Sequence, residues 1–86
     1  MTIQNAKIYR VRLGNFEGRF WGGQICLSYD DCGPCAFVPI IKIGDVLKIL
    51  SVSFWEELPG KPCRVKVNLN HIEAIGNFVK DNWLEL

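Results

Sequence analysis

The chain has 86 residues, 49% of them hydrophobic with three Trp and five Phe, which is one domain's length and too apolar for a disordered tail. A formal net charge of +1 excludes a basic field spread over the whole molecule, so any cationic surface has to be local. No apolar run approaches the ~20 residues that span a bilayer, and MTIQNAKIYR contains no signal-peptide core, so the expectation is a cytoplasmic protein with no membrane role and four reduced Cys.

The first pattern, Thr2 to Leu13, alternates as a strand. Tyr9, Val11 and Leu13 make its apolar face, and Ile8, Arg10 and Arg12 the other. Gly14-Asn15-Phe16-Glu17-Gly18 reads as a turn, and Arg19 to Tyr29 as the returning strand of a hairpin. The Gly22-Gly23 pair inside that strand predicts a bulge or a close backbone approach. Asp30 to Cys35 is rich in turn formers. Ala36 to Ile40 predicts a short strand at a sheet edge, because Pro39 cannot donate to a ladder.

Ile41, Ile43, Val46, Leu47, Ile49 and Leu50 recur at steps of three and four, which predicts a helix lying on a core, weakened by Gly44. Ser53-Phe54-Trp55-Glu56 has the spacing of a capping box, opening a very short helix over 54–58 that Pro59-Gly60 ends. Cys63, Val65 and Val67 alternate with Arg64 and Lys66 in a strand. Asn68-Leu69-Asn70 turns the chain, and His71 to Val79 returns with Ile72, Ala74 and Gly76 on one face. Trp83 is expected to fold back onto the core. Strands grouped around one helix predict an α+β domain spanning 1–86: a small curved antiparallel sheet of four to five strands, in the order β-β-β-α-β-β, with the helix packed over it.

The segments Ser53 to Lys61, Arg64 to Val67 and Ala74 to Trp83 together resemble a family of small phage and prophage proteins. In that family a Ser-Trp-Glu-Asp-Leu-x-Gly-Lys segment precedes a Val-Arg-Val-like strand and an Ala-Ile-Gly-x-x-x-x-Asp-x-Trp ending. The likeness covers roughly the last 45 residues. Phe54 stands as an insertion before Trp55, and Leu27-Ser28-Tyr29-Asp30-Asp31-Cys32-Gly33 replaces the family's glycine run. The resemblance implies a phage accessory protein and no particular chemistry. The stretch Glu57-Leu58 to Val67 also resembles small phage proteins with barrel-like single-strand-binding domains.

Three chemistries can be drawn from the residues. Cys32-Gly33-Pro34-Cys35 is identical to the dithiol motif of thioredoxins, with Cys32 as the nucleophile and Cys35 as the resolving thiol. Against this, Asp30 and Asp31 would raise a neighbouring thiol's pKa, and Val38 before Pro39 avoids helical geometry. Cys32 and Cys35 also have zinc-knuckle spacing that Cys26, Cys63 or His71 could complete, although Cys26 and Cys63 sit singly in strands. Arg10, Arg12, Arg19, Arg64 and Lys66 with Phe16, Phe20 and Trp21 could form a groove for single-stranded nucleic acid, or simply be the wet faces of two strands.

The leading expectation is a phage-type accessory protein that binds an unidentified host or defence protein, without catalysis and without a cofactor. Its contact surface is expected at Phe16, Phe20, Trp21, Asp30 and Asp31, with self-association through the edge at Ala36 to Ile40. The oxidoreductase and nucleic-acid readings stand as its alternatives.

Overall fold

The structure is a computed structural model that describes residues 2–16, 18, 20–29, 33–69 and 71–86, with the backbone alone at Phe20. The described residues form six antiparallel strands, β1 (Thr2–Phe16), β2 (Phe20–Ser28), β3 (Cys35–Pro39), β4 (Pro62–Asn68), β5 (His71–Gly76) and β6 (Trp83–Glu85). Their order across the sheet is β3-β2-β1-β4-β5-β6. This exceeds the expected four to five strands. The addition is β6, whose three residues pair with Ala74 to Gly76 and are too few to show a period in sequence.

The 15-residue β1 organises the sheet. Its N-terminal half pairs with β4 (Thr2 with Val67 through Lys7 with Pro62), and its C-terminal part pairs with β2 as far as Phe16 with Phe20. The hairpin therefore turns later than Gly14, which lies within β1, and Gly18 supplies the positive φ of 70° at the turn. β3 is at the edge, as Pro39 requires.

Two β-bulges reset which residues face the core. Lys7 and Ile8 oppose Ser28 and Leu27, but Arg10 opposes Cys26, so Tyr9 is an extra residue in β1. Lys66 opposes Ala74 while Val67 opposes Ile72, so Glu73 is extra in β5. An inserted residue flips the side-chain phase beyond it. Ile8 and Val11 consequently share the core face, and Tyr9 is half exposed, which corrects the grouping of Ile8 with Arg10 and Arg12. In the same way Ile72 and Ile75 both enter the core.

Between β3 and β4 the chain forms a 3-10 turn (Ile40–Lys42), helix α1 (Ile43–Ile49) and a second 3-10 turn (Trp55–Glu57). Val46 and Leu50 are buried and Ile43, Leu47 and Ile49 are half-buried against Ile8, Ile25, Leu27, Val65 and Ile75, as the spacing predicts; Ile41 is left exposed. The reach-back carboxylate is Glu57, which accepts from the backbone N–H of Ser53 at 3.1 Å and of Phe54 at 2.9 Å. The expected pairing of Ser53 with Glu56 is therefore shifted by one residue, because Trp55 is drawn into the core and opens the turn itself. Its ring lies against Gly23, where a Cβ would come 2.5 Å from its Cζ2. Gly23 thus marks a close approach and not a bulge. No helix among the described residues is long and apolar enough to cross a membrane.

Candidate functional site

The sheet has one face under α1 and Trp55 and one outer face. Strands β1 to β4 carry five of the chain's ten Lys and Arg (Lys7, Arg10, Arg12, Arg64 and Lys66) and none of its nine Asp and Glu. Lys7, Arg64 and Lys66 alternate with core residues, and Arg10 and Arg12 flank the core-facing Val11 opposite Cys26 and Gln24, so all five lie on the outer face. A net charge of +1 conceals this separation. Among the described residues, the acids sit in α1, the second 3-10 turn, β5, β6 and the loop before β6.

Aromatic rings are interleaved with these cations. Phe16 and Phe37 meet edge to face at 5.5 Å, and the Arg12 guanidinium lies 5.3 Å from the Phe16 ring centre. Across the sheet, Trp83 lies over Gly76, with Arg64 at 4.9 Å and Lys66 at 4.5 Å from its centre. Trp83 therefore packs on the outer face, which corrects its expected return to the core under the helix. The ring is anchored by Nε1, which donates to the Asp81 carboxylate at 2.9 Å, while Arg64 donates to the carbonyls of Asn77 and Lys80 at 2.9 and 2.8 Å. Five inter-strand steps separate β3 from β6, about 24 Å at the usual spacing.

The residues expected to make one contact surface do not share a face. Phe16 is on the outer face; Trp21, 62% exposed, is on the helix side, beside Leu13, Ile40 and Ile43 in an apolar groove of about 510 Å³. Phe20 pairs with Phe16 through its backbone. Asp30, Asp31, Arg19 and Cys32 lie outside the described residues. Phe37 and Trp83 were missed as members of the outer face. Phe37 has alternation as its only signal, and Trp83 depends on a strand that leaves none.

Cys26 and Cys35, opposed in the β2–β3 ladder, form a disulfide on the outer face. This overturns the expectation of four reduced thiols for these two. It also corrects the pairing of Cys35 with Cys32 and removes Cys26 and Cys35 as thiolate ligands for zinc. Cys63 is buried on the other side of the sheet, its thiol pushed up to about 12 by burial, so it cannot join them. Among the described residues no group of three or more His, Cys, Asp and Glu could hold a metal ion. Cys26 is fully buried and Cys35 exposed, and the Arg10 guanidinium donates to Cys26 Sγ at 3.9 Å.

No protein-family model, curated protein or solved structure matches this chain.

Proposed function

We propose that the chain is a binding module that takes single-stranded nucleic acid across the outer face of its sheet. The observation that carries this reading is the outer face of strands β1 to β4, which bears Lys7, Arg10, Arg12, Arg64 and Lys66 and no Asp or Glu, with Phe16 and Phe37 at one end and Trp83 at the other, where Asp81 and Glu85 border it. Cations attract the phosphates, and rings stack bases without reading sequence. The connectivity agrees. The first five strands, with a helix between the third and fourth and β1 shared by β2 and β4, follow the plan of a partly open Greek-key barrel of the oligonucleotide-binding type. Its opening is a cleft of about 310 Å³ between β3 and the start of β5, lined by Phe37, His71 and Ile72 among others. The site works by binding, with no cofactor, in the cytoplasm.

The test is fluorescence anisotropy with a labelled thymidine strand of about 12 nucleotides. Four cations free of main-chain carbonyl partners, Lys7, Arg10, Arg12 and Lys66, predict a log–log salt slope near −3. Arg12→Gln should weaken binding about tenfold and flatten that slope by about 0.7. Absence of binding at low salt, or salt-independent binding, would refute the reading.

A second reading, a protein-binding accessory module of the kind the phage resemblance implies, is favoured by the apolar groove of Leu13, Trp21, Ile40 and Ile43. Single-sided loss of a partner in Trp21→Ala, with oligonucleotide binding intact, would distinguish it. The edge position of β3 offers a route to self-association.

A further inference from the structure

We propose that the Cys26–Cys35 disulfide is a redox control on the nucleic-acid face: reduction frees a Cys26 thiolate that captures the Arg10 guanidinium and removes it from the phosphate-binding set. This rests on the nucleic-acid reading of the face. Two placements carry it. The bond lies within the basic face, between Arg10 on β1 and the strand that bears Phe37, and its two sulfurs differ sharply in access. Cys35 is exposed, whereas Cys26 is fully buried with Arg10 Nη2 3.9 Å from its sulfur.

Access and charge together set the direction of exchange. The thiolate of a dithiol reductant attacks Cys35 Sγ, and the electron pair of the broken S–S bond leaves on Cys26 Sγ. A guanidinium beside the leaving sulfur favours its thiolate, against the burial that opposes ionisation, and speeds its departure. The reductant's second thiol then attacks the mixed disulfide and releases Cys35. The reductant ends as a disulfide, having given two electrons, and its two thiol protons pass to solvent or to the cysteines according to pH. In a reducing cytoplasm such a bond is made and broken rather than permanent.

Around Cys26 on this face, the charged and titratable groups among the described residues are Lys7, Tyr9, Arg10 and Arg12 of β1 and Cys35 of β3; β2 contributes no other. The Tyr9 phenol is held by donation to the Gly33 carbonyl at 3.1 Å, which leaves Arg10 as the cation in contact with the sulfur. Among the described residues around Cys26 an anion is therefore present only when the bond is open and Cys26 is ionised; Asp81 and Glu85 lie at the far β6 end of the sheet. In the disulfide, Arg10 has no anionic partner among the described residues.

The experiment uses the full chain carrying Cys32→Ser, with Cys63 buried and silent. Oligonucleotide anisotropy is measured on the disulfide form and on the dithiol-reduced form from about pH 5 to 9.5, a range that takes in both a thiol lowered by a guanidinium and one near the free value of about 8.5. The expected result is that the reduced form loses affinity about tenfold as Cys26 ionises, the loss of one charged contact, with a salt slope flatter by about 0.7. The disulfide form, and a variant with Cys26→Ala and Cys35→Ala, should stay flat. Equal affinity of both redox forms at every pH would overturn the proposal. So would an Ala variant as weak as the reduced form, since the loss would then come from unstapling the strands. A second readout is independent of nucleic acid: thiolate absorbance against pH in the reduced protein, with and without Arg10→Gln. A lower ionisation pH in the presence of Arg10 is expected. An unchanged one refutes the thiolate–Arg10 pairing even if the face binds oligonucleotides, and a shifted one without any binding would fault the face alone.

Discussion

Replacing Gly23 with Ala tests whether the core is built around a bare strand. The new Cβ would stand 2.5 and 2.6 Å from Trp55 Cζ2 and Cη2 and 3.0 Å from Ile43 Cδ1. Carbon atoms in contact sit about 3.5–4.0 Å apart, so the indole must retreat by about 1 Å. Trp55 is buried, with Ile43 pressing on the same spot, and cannot swing into solvent. Overpacking of this kind costs about 1–3 kcal/mol, offset by the ~0.4–1 kcal/mol that Ala contributes by restricting the unfolded chain. A net loss of about 1–2 kcal/mol corresponds to a drop in Tm of about 4–16 °C for a domain of this size. Gly44→Ala is the matched control: its Cβ meets nothing within 4 Å on an exposed helical position. It should gain about 1 kcal/mol. Thermal unfolding by circular dichroism reads both, and Trp55→Phe, which shortens the ring, should recover part of the Gly23→Ala loss in a double-mutant cycle. A Gly23→Ala protein as stable as the parent, with Gly44→Ala behaving as stated, would refute the packing of Trp55 on β2.

Glu57→Ala removes the acceptor for Ser53 and Phe54 N–H and should cost about 1 kcal/mol by chemical denaturation, whereas Glu56→Ala should change stability by less than about 0.5 kcal/mol. Cys63 keeps its proton in the folded state up to about pH 12, while the unfolded thiol loses it near 9.0. Stability is therefore full below pH 9 and falls as pH rises toward 12, by at most about 1.4 kcal/mol per unit; comparison with Cys63→Val isolates this slope from the ionisation of Lys and Tyr. Gly76→Ala places a Cβ 2.7 Å from the Trp83 ring and should lift it away from Arg64 and Lys66, seen as a red-shifted Trp emission and severalfold weaker oligonucleotide binding with only a small change in Tm.

What the chain determines locally is readable along it. Period-two runs place β1 and β4, the glycine-flanked turn places β2 as the returning strand, the three-four spacing places α1, and Pro39 assigns β3 to an edge, because each depends on residues a few positions apart. The glycine pair at 22–23 also marks a special position, a bulge or a close approach, and the Trp55 ring against Gly23 decides which. The bulges at Tyr9 and Glu73 cannot be read this way: an extra residue is defined only against the partner strand, and it inverts every later face assignment. That is why Ile8 reads with the arginines along the chain, while Phe16 reads as a turn residue beside Trp21 because the strand's extension to residue 16 depends on its pairing with Phe20. Pairing across the sheet likewise decides that Cys35 meets Cys26, that a three-residue β6 exists, and that five cations separated along the chain share one face with three rings. Local sequence sets which side chains alternate, but only long-range register decides which of them stand together.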